Sequence, residues 1–260
     1  MPGSCTAKHP RGYEIEFHED THKYISVING EEISYTSGTQ FIHQFFPPFD
    51  PDGSIAKRCA ERDGISVAEV RAKWAAAGKE ATTIGTRVHE CCEDTILKRP
   101  LRNSPTTEKE KTLFNYAVDI GERLLQRLDI LGVEKIVFSP SLRIAGTIDL
   151  FARSKKTGDY IILDHKTNKS IDIENTWNKF ALEPIEHVAD NNYGHYGCQL
   201  NLYQYILKRE GYVPKNAKFK MFLNHISESG SKMIEIFDLQ HEIKDMMIWH
   251  LIKKNERSIL

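Results

Sequence analysis

A chain of 260 residues, 40% of them hydrophobic and 27% charged, is long enough to bury a full core and is too apolar for a disordered tail. A formal net charge of −1 leaves no global field of the kind that announces a nucleic-acid partner. Basic residues do cluster locally, at Arg153/Lys155/Lys156, Lys208/Arg209, Lys215/Lys218/Lys220 and Lys253/Lys254/Arg257, and each cluster taken singly reads as a solvated face.

Residues 1–11 are short and polar and are expected to be disordered. Residues 13–17 and 22–28 alternate in polarity around H-E-D-T, and N-G-E-E turns the chain into 33–35, which describes a small antiparallel unit. Thr36-Ser37-Gly38-Thr39 caps a short helix through 41–46 that Pro47-Pro48 stops; Phe41, Phe45, Phe46 and Phe49 read as packing. A short helix is expected over 55–62. Ser66 with Glu69 makes a capping box for a helix to about residue 77. Thr82/Thr83 open a second helix to about residue 98, carrying G-T-R-V-H-E-C-C-E, where His89 and Glu93 share a face.

After a loop at 100–107, residues 108–132 form a long amphipathic helix, and V-E-K-I-V-F-S is a strand carrying Glu134. Apolar runs at 147–153 and 160–166 flank a polar turn and describe a hairpin, so three consecutive strands form a meander. In the hairpin, pairing Arg153 with Tyr160 sets Asp149 opposite Asp164, and Lys166 shares the Asp164 face. Two carboxylates that close repel unless a cation lies between them, and Asp164 ends a buried apolar run. Hard oxygen donors suit Mg²⁺, and a nearby amine can orient a water and offset charge on a phosphate. Beyond it, 167–192 is mixed and polar with Trp177 and Phe180 as anchors. Residues 196–208 are helical with Gln199 and Tyr203 on one face; strands at 218–225 and 232–237 and a helix over 240–254 close the chain.

The five cysteines, Cys5, Cys59, Cys91, Cys92 and Cys198, are odd in number and contain no C-x-x-C pair. A disulfide framework is therefore not expected, and a reducing, intracellular compartment is: the cytoplasm of a host or phage-infected cell, or a nucleus or mitochondrion. No apolar run reaches the ~18 residues of a membrane span, and the N-terminus lacks a secretory h-region, so no membrane partner is expected.

Taken in order, G-T-R-V-H-E-C-C-E, Glu134, G-T-I-D…D-H-K-T and Q-L-N-L-Y resemble the PD-(D/E)xK nuclease superfamily, in its RecB-like and phage-type exonuclease branch, over residues 82–210. H-K-Y…Y-T-S and F-F-P-P-F-D look like the segment that precedes the core in phage and large-virus members. Ile148 stands where the motif's Pro would be. The resemblance implies a restriction-endonuclease-like α/β core, a central mixed sheet flanked by helices, over 82–260, preceded by a β/helical elaboration over 12–81. It implies a metal-dependent DNase, by preference an exonuclease, in DNA repair or recombination, that leaves a 5′-phosphate and a 3′-hydroxyl on single-stranded DNA or duplex ends. Asp149, Asp164, the His165 carbonyl and His89 would ligate Mg²⁺ or Mn²⁺. Glu134 would serve a second ion or a bound water, and Lys166 would position the attacking water. Gln199 and Tyr203 would contact DNA or brace the active-site strand, with Arg153, Lys169 and Tyr196 as further DNA contacts. An iron–sulfur cluster of the kind some relatives carry, on one cysteine before the core and three after it, is not expected, because nothing beyond Cys198 could supply the trailing cysteines. Two other readings share these residues: a catalytically silent nuclease-fold DNA-binding module, and an RNA-cutting endonuclease.

Overall fold

The structure, a computed structural model, describes residues 4–51 and 53–259. Its centre is the meander read from the sequence: β5 (Leu128–Ser139), β6 (Ile144–Ser154) and β7 (Tyr160–Lys166), with Arg153 paired to Tyr160. β8 (Phe219–Ser227) adds parallel to β7, and β9 (Gly230–Glu235) adds antiparallel to β8. On the other side an antiparallel unit of β1 (Ser4–Lys8), β2 (Glu14–His18), β3 (Lys23–Ile28) and β4 (Glu31–Ser37) joins the same sheet. The join is a short parallel pairing of β4 with β6, Thr36 to Ile144 and Ser37 to Ala145.

β5 runs along one whole edge of β6, so β4 and β7 must share the other. β4 takes residues 144–145 and β7 takes 150–153, which leaves 146–149 unpaired between them. The sheet therefore forks at Gly146–Asp149, and the functional residues gather at this fork.

Helices cover both faces of the sheet. α3 (Val67–Ile96) and α4 (Glu108–Arg127) bury Val88, Cys92, Leu113, Phe114 and Ala117 against Leu150, Ala152, Ile161 and Leu163. α1 (Gly38–His43), α5 (Asn192–Arg209) and α6 (Gln240–Ile259) bury Phe41, Leu200, Ile206 and Met246 against Ile148, Phe151 and Ile162. A third cluster, Ile15, Tyr24, Tyr35, Ile136, Phe138 and Ala145, fixes the N-terminal strands to β5 and β6. The result is a mixed sheet flanked by helices with an N-terminal strand unit, consistent with a restriction-endonuclease-like fold.

Three expectations are corrected. The disordered stretch expected over 1–11 is instead ordered from Ser4: β1 pairs with β2, Ser4 to His18 through Lys8 to Glu14. His9 then anchors it, buried beside Phe138 and Tyr212 with Nε2 at 3.3 Å from Glu210. The two helices expected over 66–77 and 82–98 are one, since Ala72, Ala75, Ala76, Ala77 and Ala81 offset the ~1 kcal/mol helix penalty of Gly78. The short helix α2 (Ser54–Asp63) packs beside it. The long helix expected to Gly132 ends at Arg127, where the tertiary pairing of Leu128 with Ser154 overrides helical spacing.

The C-terminal end of α3 carries a buried acid, Asp94, which accepts from Arg99 Nε at 2.5 Å and from the Arg102 N–H at 2.7 Å. Burial pushes its carboxyl up, but the Arg102 N–H and the two guanidinium groups outweigh that and hold it below the ordinary aspartate range. An acid with a depressed folded value contributes stability above its unfolded value and loses it as pH falls through the folded one. Asp94→Ala is expected to destabilise the protein by about 2 kcal/mol at neutral pH, the scale of hydrogen bonds to a charged group. In urea melts the gap between parent and variant should shrink steadily below about pH 4. A gap constant down to pH 2 would show that the carboxylate charge is not what stabilises this corner.

Candidate active site

The fork opens into a cleft of ≈ 820 Å³ walled by the β2–β3 hairpin (Phe17, His22, Tyr24) and by α3 (Thr82, Gly85, His89, Glu93). Glu134, Thr147 and Lys166 line its floor and sides. Strict alternation along β6 slips here. Ile148 and Phe151, three apart, join one core, whereas Leu150 and Ala152 join the other. The β5–β6 ladder skips the Glu134–Asp149 pair, and Glu134 sits at φ 48°, a left-handed conformation rare outside glycine. The irregularity takes Asp149 out of the ladder and sets it beside His89, which lines the cleft.

Asp149 and Asp164 are therefore not a ladder pair, because the β6–β7 register ends at Leu150 with Leu163. Asp149 Oδ2 instead accepts from the His165 N–H at 2.8 Å and lies 3.3 Å from His89 Nδ1, reached from α3. Asp164 is buried, with Oδ2 at 2.5 Å from Lys166 Nζ, and that ammonium stands 4.6 Å over the Tyr196 ring. Asp149, Asp164, Lys166 and His89 lie together in space, by a different route from strand opposition.

Electrostatics at the site follow from burial. Burial pushes the Asp164 carboxyl up; Lys166 opposes that shift and the Asp149 charge adds to it. Burial pulls the Lys166 amine down, but Asp164 and Asp149 outweigh it and hold the ammonium above the ordinary lysine range. The surrounding protein, then Asp149, Glu93 and Asp164, push the Glu134 carboxyl up, although its side chain opens onto the cleft and water screens part of that repulsion. Burial, with His89 adding to it, pulls His165 down to about 3, so its imidazole is neutral.

The remaining expected residues divide. Tyr196 donates from its hydroxyl to Asn168 at 3.1 Å and lies under Lys166, beside the cleft. Gln199 Nε2 donates at 2.9 Å to the Tyr203 hydroxyl, and Tyr203 is buried, which gives its ring the bracing place and not a DNA contact. That ring fills the fork between Gly38 and Gly146. Lys169 is exposed just past the cleft. Arg153 is not brought to the site: it lies four residues along β6 from Asp149, and its Nε donates to Gly158 O in its own hairpin turn. At roughly 3.3 Å per residue that separation is about 13 Å.

Three contributions escaped the sequence reading. Tyr24 reaches Thr147 Oγ1 at 2.8 Å across the cleft. Asn224 Nδ2, fully buried, lies 2.8 Å from His165 Nδ1, with Ser231 Oγ donating to its Oδ1 at 2.9 Å. This chain of bonds assigns the His165 proton to Nε2. The third is the pair of glycines around Tyr203. The only sequence signal for any of them was G-T-I-D itself, where a glycine preceding a strand acid marks a close approach.

For a divalent ion the donor chemistry fits, and the cage is open. Asp164 Oδ2 is buried without a properly angled hydrogen bond, and the carboxylates of Asp149, Asp164 and Glu134 crowd one another. Among the described residues no three His, Cys, Asp or Glu side chains converge as a ready cage. Mg²⁺ does not need one, because it is commonly held by one or two carboxylates, with waters and phosphate oxygens completing the shell.

No helix among the described residues is long and apolar enough to cross a membrane. The chain resembles the crystal structure of SSO0001 at 16% identity, over 85% of this chain and 76% of that one, with a TM-score of 0.31, a likeness too loose to build on. No curated protein matches it by sequence. The family model of the PD-(D/E)XK nuclease superfamily matches residues 72–249, a span that contains the Gly146–Asp149 stretch, both aspartates, Glu134, His89 and Lys166. The chain belongs to the PD-(D/E)XK nuclease superfamily.

Proposed function

We propose that this nuclease cuts DNA with the help of Mg²⁺ or Mn²⁺ and works as an exonuclease of the RecB-like kind, on single-stranded DNA or duplex ends. The observation that carries the reading is the convergence of Asp149, Asp164, Lys166 and His89 at a fork that opens into a cleft. Asp149 and Asp164, with the His165 carbonyl, would hold the ion, and Glu134, which lines the cleft, would serve a second or a bound water. A bound divalent ion would polarise the phosphodiester and lower the pKa of a coordinated water.

The chain's own residues do the rest. Lys166 is fixed by Asp164 and the Tyr196 ring, so its charge is preorganised toward the cleft, where it orients the attacking water and offsets charge on the phosphate. His89 and the His165 N–H hold Asp149 in one rotamer. Attack of the water oxygen on phosphorus breaks the bond to the 3′ oxygen, which leaves as a 3′-hydroxyl, and the 5′-phosphate stays on the other fragment. A role in DNA repair or recombination follows from the same family reading.

End-labelled DNA with free and with blocked ends, incubated with Mg²⁺, Mn²⁺ or a chelator, tests this directly. Cleavage is expected with either ion, none in chelator, and blocked ends should slow it at least ~10-fold, the scale of one lost good contact. Metal-supported binding of DNA with no cleavage on any substrate would point instead to the silent binding module, and faster cutting of RNA would point to the endonuclease reading.

A further inference from the structure

A second cavity, of ≈ 1010 Å³, lies beside the first turn of α5, on the far side of the segment that leaves Lys166. Its rim carries large aromatic side chains that face water: Trp177 is 78% exposed and Phe49 is 67% exposed. Neither was expected there, Phe49 having read as packing and Trp177 as an anchor. Phe41, Phe45 and Phe46 are indeed buried, and Phe49 alone of that group is left outside.

The exposure is built in. The loop that presents Trp177 is tied by Asn175 Nδ2 to Lys179 O at 2.7 Å, by Asp190 N–H to Lys179 O at 2.9 Å and by Ala181 N–H to Val188 O at 2.9 Å. Phe49 is braced by Trp74, with ring centroids 5.9 Å apart. An indole held rigidly in water forgoes the burial of roughly 150–250 Å² of surface, which a flat apolar partner would restore. Lys179 lines the cavity and Lys169 is exposed on the segment that leads to it, and neither has an ion-pair partner among the described residues.

One stretch of chain links the cavity to the catalytic cleft, with Thr167 and Asn168 lining the cleft and Asp172 lining the cavity. Residues 167–172 run from Lys166 to its rim along α5, held by Asn192 Nδ2 to Ser170 O and Asp172 N–H to Asn192 Oδ1, both at 2.8 Å. Tyr196, under Lys166, is the next residue after His195, which stacks on Phe46 at 3.7 Å on the cavity wall. Asp172 and Asp190 also line the space, and Asp190 is tied to His195 at 2.8 Å. A cavity with acids on its wall, an exposed lysine at its edge and another on the approach suits neutral bases within and phosphates along the rim.

Resting on the nuclease reading above, we infer that this cavity is a single-strand nucleic-acid site, in which unpaired bases stack on Trp177 and Phe49 and phosphates lie on Lys169 and Lys179. Paired bases hide their faces in the duplex stack, so the site reads only an unpaired strand, one passing to or from the catalytic fork. Sequence preference is not built in, because every base has a face to stack.

The test is fluorescence anisotropy of labelled oligothymidine and of a blunt duplex, with the whole chain in chelator so that nothing is cut. Trp177→Ala is expected to weaken single-strand binding about 10-fold, within the ~1–3 kcal/mol reported for one stacked base, and to change duplex binding less than ~2-fold. Trp177→Phe should recover most of the loss, and Lys169→Ala with Lys179→Ala should flatten the salt dependence. Equal single-strand affinities for parent and Trp177→Ala would overturn the site, as would a Trp177→Ala protein that binds normally but sediments at a lower mass, which would mark a protein–protein surface. A parent that cleaves DNA in metal yet shows no Trp177 dependence loses only this site; a parent that neither cleaves nor binds oligothymidine loses the nuclease reading as well.

Discussion

Lys166→Ala is expected to lower the turnover of DNA by about 10²–10³, the loss seen when one preorganised donor to a developing oxyanion is removed. The expectation follows from how firmly the ammonium is held. It sits at 2.5 Å from Asp164 Oδ2 and 4.6 Å above the Tyr196 ring, with a minor part of its surface in water. Other cations among the described residues are engaged elsewhere or exposed: Arg102, in the same cleft, pairs with Glu93 and Asp94, Arg153 is occupied at the distant hairpin turn, and Lys169 is exposed three residues on.

The same substitution should show in stability, with a size that depends on metal. Removing Lys166 leaves Asp164 buried beside the Asp149 charge with no counter-ion, and breaking a buried pair in this way costs about 3 kcal/mol. A divalent ion bound by the two carboxylates would offset the deficit. Thermal melts of Lys166→Ala should therefore lie well below the parent in chelator and recover much of the gap in Mg²⁺ or Mn²⁺. Parental turnover in the variant would remove Lys166 from the mechanism, whereas lost turnover with no metal-dependent recovery would separate the amine's role from metal binding.

Local sequence rules reached much of this site, and they failed where distant elements meet. The meander, the Arg153–Tyr160 register and the Ser66–Glu69 capping box follow from alternation, turn composition and cap chemistry, each contained in a few adjacent residues. The parallel pairing of Thr36 with Ile144 joins segments far apart in the chain, and nothing in either announces the other. That pairing creates the fork, so the sequence could show which acids belong together but not that they meet at a gap in the sheet. The assumption of a perfect ladder placed Asp149 opposite Asp164; the left-handed Glu134 and the slip between Ile148 and Phe151 break it. Phe49 and Trp177 were misjudged for a plainer reason. Composition expects large apolar side chains inside, and it cannot identify the ones a loop holds out.

Gly146→Ala is expected to reverse the usual sign of a glycine-to-alanine change and to weaken catalysis with it. Gly146 has no left-handed backbone requirement, so with free space around it the substitution would stabilise by about 0.4–1 kcal/mol through the unfolded chain. There is no space. A Cβ there would overlap the Tyr203 ring, lying 2.7 Å from its hydroxyl and 2.8 Å from Cζ, and Gly38 crowds the same ring, since a Cβ there would stand 2.8 Å from Cε1. Tyr203 is fully enclosed and its hydroxyl holds Gln199, so the ring cannot yield without moving β6 or α1. Overpacking of this kind costs about 1–3 kcal/mol. Because Asp149 is the third residue beyond Gly146 on the same unpaired stretch, a displacement near 1 Å would carry the carboxylate away from His89 and Lys166 and lower turnover about 10²-fold. Trimming the ring should relieve the clash, so Gly146→Ala with Tyr203→Leu is expected to be more stable than the sum of the two single changes by at least ~0.5 kcal/mol. A Gly146→Ala protein that melts above the parent and cleaves at the parental rate would show that the ring does not set the position of Asp149.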